Sequence, residues 1–191
     1  DVFYGGNFIR SIKLPEQIRN GSFSHRFFVT NGMIYLTASR NNKPVISFNY
    51  STSQIKSFGK SFTFSNHQQN LVRNNRHLLI QDKTMISVSD NLPIIELFAP
   101  DGSSIYKLDY SYLPIIKSRL EYTNRKQEQN APNSYFLLVE DAYINHNKLY
   151  LLIYTGLKST SCNTILEFNI YNNTVSPEKI IDLGEGWYDS F

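Results

Sequence analysis

Three times along the chain an apolar-polar-apolar triplet recurs, Ile46-Ser47-Phe48, Ile95-Glu96-Leu97 and Leu166-Glu167-Phe168, and four residues past the end of each stands a turn pair, Thr52-Ser53, Asp101-Gly102 and Asn172-Asn173. A constant offset between a strand-like triplet and a turn marks a repeated supersecondary unit. Such a repeat constrains the fold more than composition does, because each unit must bury its apolar face against a neighbouring copy. Gly5-Gly6 fits as the matching turn of a truncated unit, and the second turn residues, Gly6, Ser53, Gly102 and Asn173, then fall 47, 49 and 71 residues apart. The surplus in the last interval is carried by Tyr112 to Ser134, whose polar tract EYTNRKQEQNAPNS has no strand pattern and reads as a loop.

Each unit resolves into four short strands. In the central one, Arg76 to Tyr110, they are His77 to Ile80, Met85 to Val88, Ile94 to Phe98 and, after the Asp101-Gly102 turn, Ile105 to Leu108. The unit before it runs Phe23 to Val29, Met33 to Ala38 across an Asn31-Gly32 hairpin turn, Val45 to Tyr50, and Gln54 to Phe58. The unit after it runs Phe136 to Tyr143, Lys148 to Tyr154, Thr164 to Asn169 and Lys179 to Leu183. Residues 1–14 read as the last strand of a preceding unit, and residues 187–191 as the first strand of a following one.

Four strands repeating every 45 to 50 residues predict an all-β fold, a β-propeller of four-stranded antiparallel blades, with complete blades at 23–62, 74–122 and 135–184 in one domain of 1–191. A β-sandwich of similar strands is the alternative, although it has no need of a recurring turn offset. The stretch around Met85 to Leu108, ISVSDNLPIIELFAPDGSSIYKLD, resembles the six-bladed propellers common in secreted and lipid-anchored proteins of the Bacteroides group, relatives of the NHL and TolB-like propellers. The resemblance implies blade architecture and an extracytoplasmic location, periplasmic or cell-surface, with a lipid anchor as an option in a full-length protein. It implies no catalytic residue. Three blades and two orphan strands do not close a ring of the four to eight blades that propellers use. Either the rest of a longer chain or a second copy would complete it, or the ends are capped irregularly.

Composition removes several function classes. Aromatic residues make up 14% of the chain, with 13 Tyr and 13 Phe, and suit a pleated surface. The net charge of +3 is small and its cations scattered, so no nucleic-acid partner is expected. No apolar run reaches the ~18 residues of a membrane helix. Cys162 stands alone, which leaves no disulfide and no cysteine zinc site. Walker, dinucleotide-binding, Gly-x-Ser-x-Gly and His-Glu-x-x-His motifs are absent, so no cofactor, metal or catalytic residue is assigned.

What remains is a choice of surfaces. In a blade, the connections between second and third strands and between one blade and the next share one rim. Arg40, Lys43, Arg125, Lys126 and Lys158 fall on those connections, and loops on a rigid scaffold commonly carry function. The first strands line the central channel and offer His25, Arg26, Arg76, His77, Glu140 and Asp141, with Trp187 and Tyr188 in the final segment. Alternation along a strand puts Glu140 and Asp141 on opposite faces. The reading that follows is a non-catalytic binding or scaffold domain for a protein, peptide or glycan. Its alternatives are a calcium-dependent hydrolase or lactonase-like enzyme, and an assembly module pairing through open blade edges.

Overall fold

The structure is a computed structural model that describes residues 2–4, 7–19, 23–40, 43–64, 67–129, 136–155 and 162–191. Three four-stranded antiparallel sheets follow one another along the chain. The first holds β3 (Phe23–Thr30), β4 (Met33–Arg40), β5 (Lys43–Asn49) and β6 (Ile55–Phe58); the second β7 (Arg76–Gln81), β8 (Thr84–Ser89), β9 (Ile94–Phe98) and β10 (Ser104–Asp109); the third β11 (Val139–Asn145), β12 (Lys148–Tyr154), β13 (Cys162–Tyr171) and β14 (Thr174–Asp182). Within each, strands pair in sequence order. The first strands converge, β3 touching β7 and β7 touching β11, while the outermost strands β10 and β14 meet at the periphery. Sheets in series with their first strands gathered together are propeller blades, and a middle sheet covered on both faces does not fit a two-layer sandwich.

Turn chemistry fixes the hairpins where the repeat placed them. The first-to-second-strand turns carry a non-glycine residue with positive φ, Asn31 at 46°, Asp82 at 54° and His146 at 53°. Asn and Asp tolerate this left-handed geometry because a short polar side chain can bond locally. Gly102, at φ 87°, sits where an added Cβ would come within 2.8 Å of the Phe58 ring of the preceding blade, so this turn requires glycine for space as well as for conformation.

Three details depart from the sequence reading. At the N-terminal end, β1 (Val2–Tyr4) and β2 (Asn7–Arg10) form a two-stranded pair, one strand more than residues 1–14 suggested. At the other end no strand forms over 187–191; Gly184, at φ 81°, turns the backbone out of the extended path after β14. The largest difference is Tyr112 to Ser134, where a loop was expected and a helix, α3 (Pro114–Gln129), stands. Its signals are local: a proline at the first helical position, and Leu113 just before it followed by Ile116 and Leu120 at helical spacing, all packed on one core. Ile116 is fully buried in the core between the second and third blades.

The other blade-to-blade crossovers also carry helices, α1 (Glu16–Arg19) before the first blade and α2 (His67–Val72) before the second. Each delivers a buried side chain onto the blades it joins, Ile18 from α1 and Gln69 from α2. They share the loop rim with the connections between second and third strands. The hairpin turns occupy the opposite rim.

The parity of the triplets decides how the blades meet. In the first blade the apolar members Ile46 and Phe48 face away from the second, towards Ile18 of α1, and in the third blade Leu166 and Phe168 likewise face backward, onto the second. In the second blade the register is opposite: Ile95 and Leu97 face forward, and Glu96 faces back. Apolar members therefore meet from both sides at the second seam, where Ile86, Val88, Ile95 and Leu97 pack on Leu149, Leu151, Leu166 and Phe168. Polar middle members both face the first seam, Ser47 from one blade and Glu96 from the next. A smaller apolar cluster of Tyr35, Val45, Phe58, Leu78, Met85 and Phe98 holds that seam together, with Phe58 edge-on to Phe98 at 5.2 Å.

If α3 is a structural plug, truncation should cost most at its buried position. Ile116→Ala is expected to lower stability by about 2–4 kcal/mol in urea unfolding, whereas Arg125→Ala, at an exposed position, should change it by less than about 0.5 kcal/mol.

Candidate functional site

Alternation on β7 sends its two polar residues into different seams. Arg76 turns back into the first seam with its guanidinium fully buried; Glu96 lies 4.0 Å away and the Phe62 ring lies 4.8 Å below the guanidinium carbon. Burial pushes the Glu96 carboxyl above its usual range while Arg76 and Lys107 pull it back. His77 turns forward into the second seam, its Nε2 3.3 Å from Asp90. The Asp90 carbonyl accepts the backbone N–H groups of Leu138 and Val139 at 2.8 and 3.0 Å, stitching the second blade to the third. Arg76 and His77 thus lie between blades, the one facing Glu96 and the Phe62 ring and the other facing Asp90.

In the third blade a β-bulge changes the sequence expectation. The register slips between Val139 and Asp141, leaving Glu140 as the extra residue. A bulge re-aims side chains, and here both carboxylates reach the forward side of the blade. Glu140 accepts a hydrogen bond from the Tyr154 hydroxyl at 2.5 Å. Asp141 accepts the Ala142 N–H at 2.7 Å on one oxygen and the Phe191 N–H at 3.1 Å on the other. The strict alternation assumed for these two residues therefore fails at this point in the strand.

The final segment lies across that forward face. Trp187 meets Tyr154 edge-on at 5.7 Å, and Phe191 packs 5.9 Å from Tyr143 and 6.4 Å from Tyr150. Tyr188 donates its backbone N–H to the Cys162 carbonyl at 3.0 Å and its hydroxyl to the Leu183 carbonyl at 3.2 Å. Arg119, from α3, sits over the Tyr154 ring and donates to the Leu137 carbonyl at 3.1 Å. Cys162 is buried within this group, and desolvation, followed by the Glu140 charge, pushes its thiol up to about 12. Such a thiol is protonated at neutral pH and is a poor nucleophile.

The rim positions are scattered by comparison. Lys43 is exposed at the start of β5 and Arg125 on α3. His25 and Arg26 fall on β3, Arg40 at the end of β4 and Lys126 on α3; their side chains lie outside what is described, and Lys158 lies outside the described residues. Among the described residues no group of three or more His, Cys, Asp or Glu is placed to hold a metal ion. No described helix is long and apolar enough to cross a membrane.

Sequence reasoning did not foresee two clefts on the turn rim, each of about 370 Å³. One opens between the first and second blades and the other between the second and third. The latter is bridged by Gln81 donating to the His146 carbonyl at 2.8 Å and Thr84 donating to Asn173 at 3.4 Å. The triplet parity could have pointed to the former, since a seam that receives Ser47 in place of a large apolar side chain is short of volume.

No family model matches the chain, and no curated protein matches it. Among solved structures it is similar to the N-terminal domain of Nup159, with 7% sequence identity and a TM-score of 0.42 over 83% of this chain. The chain spans about 30% of that structure's length. At this level of likeness the architecture is read from the strand topology itself.

Two outcomes test the structural reading of these polar groups. Arg76→Met and Glu96→Leu, made singly, should each cost about 3–5 kcal/mol because the partner is left buried and unpaired, and the double variant should recover most of that loss in chemical unfolding. Cys162 should resist a thiol reagent such as DTNB at pH 8 in the native protein, and react stoichiometrically once the chain is unfolded.

Proposed function

We propose that the chain is a non-catalytic binding or scaffold module of β-propeller type, acting outside the cytoplasm and engaging a protein, peptide or glycan through its loop rim. The proposal keeps the kinship with the six-bladed envelope propellers suggested by the central blade. One observation carries it: the polar side chains described on the inner strands, Arg76, His77, Glu140 and Asp141, all face groups of the protein itself, so they serve blade packing. Exposed cations such as Lys43, at the first position of β5, and Arg125, on the crossover helix α3, stand instead at the loop rim of a rigid scaffold, which is where binding residues concentrate.

The test is a peptide and glycan array probed with the protein and with a Lys43→Glu, Arg125→Glu variant. Ligands are expected whose signal falls about tenfold in the variant, equivalent to about 1.4 kcal/mol, at an unchanged melting temperature. Ligands indifferent to the charge reversal would overturn the loop-rim assignment. Calcium at millimolar concentration should leave the melting temperature unmoved; a rise of several degrees would favour the calcium-dependent enzyme instead, since a ligand of the native state must stabilise it.

A second reading, an assembly module, draws on the outward faces of the terminal blades. Phe27 and Val29 are 64% and 48% exposed on the first blade, and Tyr143 and Phe191 49% and 48% exposed on the third. Contiguous apolar surface of this kind commonly marks an interaction site. Sedimentation analysis across a hundredfold concentration range decides it: a mass fixed at 22.1 kDa rules out self-assembly through these faces.

A further inference from the structure

We propose that the turn-rim cleft between the first and second blades binds a neutral sugar of one or two rings. This site lies on the rim opposite the connections discussed above, and it stands or falls independently of them. Its volume of about 370 Å³ is at the lower end of the ~300–1,000 Å³ range of small-ligand pockets. The small side chain at position 47 forms part of its wall. Across the first blade, Tyr35 pairs with Ser47 and Ser47 with Lys56, whereas the corresponding forward face of the second blade carries Ile86 opposite Leu97. A serine in the middle of a blade seam leaves room that a leucine would fill.

The chemistry of the walls suits polyols. Asn31, Asn49 and Gln54 line the cleft; the Asn49 oxygen accepts the Ser51 and Thr52 N–H groups of the turn, which leaves its NH2 as a donor, while the amides of Asn31 and Gln54 carry a donor and an acceptor side by side, the pair that a sugar hydroxyl, itself both donor and acceptor, can satisfy at once. Lys56 and Lys83 stand at the cleft with Asp82, while Asp101, outside the lining, lies close enough to Lys56 to feel its charge. The lysine ammonium groups donate to sugar hydroxyls, and the anionic comparator below separates a sugar from an ion. The floor of Met33, Tyr35 and Ile80 gives the apolar faces of a pyranose ring a surface to rest on, as ligand pockets generally do. The cleft at the second seam lacks this composition: hydrogen bonds already cross it, and no lysine lines it.

The chain's two methionines provide the readout. Met33 lines the cleft, while Met85 is 3% exposed in the neighbouring core. With [¹³C]methyl-methionine protein, titration with glucose, galactose and N-acetylglucosamine is expected to shift the Met33 methyl resonance saturably, half-complete at about 1–10 mM for at least one of them, and to leave Met85 in place. Acetate and diglycine serve as anionic and peptide comparators. Ser47→Leu should abolish the shift and raise the melting temperature by filling the seam; Lys56→Met, a surface change that keeps the aliphatic stem and removes the donor, should weaken binding about fivefold through a lost hydrogen bond. The proposal is overturned by no saturable Met33 shift with any sugar, by equal movement of the Met33 and Met85 methyls, by a response to either comparator stronger than to the sugars, or by a sugar response at Met33 unaltered in Lys56→Met.

Discussion

The pleat of a β-strand allows each residue only one of two sides, and the blades of this protein are ordered by that restriction. A triplet of apolar, polar and apolar residues presents its outer members together and its middle member alone. With the same triplet turned backward in the first and third blades and forward in the second, the two internal seams cannot be alike. One receives four triplet side chains, Ile95, Leu97, Leu166 and Phe168, and becomes a continuous apolar core. The other receives Ser47 and Glu96, and with them a buried guanidinium and a cleft. A slip of one residue in pairing register moves a whole hydrophobic set to the opposite face. Here that choice separates a seam whose middle is filled by apolar side chains from one that holds a buried arginine and glutamate.

Buried charge at the polar seam has to be compensated locally. Arg76 lies against Glu96 and the Phe62 ring, and the linker from β6 to β7 adds an amide clasp: Asn74 accepts the Phe62 N–H at 2.8 Å and donates to the Phe62 carbonyl at 3.0 Å. Pairs of this kind are weak sources of net stability. What they supply is a fixed geometry for the crossover that leads from one blade into the next. The residues that looked most like chemistry in a first-strand position are, in this arrangement, part of the joinery.

Much of the architecture was legible because repeats are counted more reliably than single elements. The twelve blade strands and their turns follow from alternation, from Asn-Gly and Asp-Gly pairs, and from the constant offset between triplet and turn. The crossover helices were not legible as a class, since α1 and α2 span only four and six residues, too short for periodicity to show. For α3 the signal at Leu113, Ile116 and Leu120 was present but was outweighed by the polar tract that follows. The placement of Glu140 and Asp141 was beyond reach for a different reason: a bulge adds a residue to one strand without changing composition or hydropathy, and only the register with β12 reveals it. The direction in which each triplet faces is equally hidden, because it depends on which strand edges are already paired. The cleft followed from that direction, so it too escaped notice.

Blades that touch only their neighbours behave as a short one-dimensional array, in which the strength of each junction sets how far unfolding spreads. The two junctions here are unequal. Loss of cooperativity should therefore begin at the Ser47–Glu96 boundary, with the first blade parting as a unit while the second and third, joined through Ile116 and Phe168, persist as a common foldon. An opening of that sort would exchange backbone amides of β3 to β6 with solvent ahead of those in β8 to β13, and would briefly widen the very groove that the small side chain at position 47 creates.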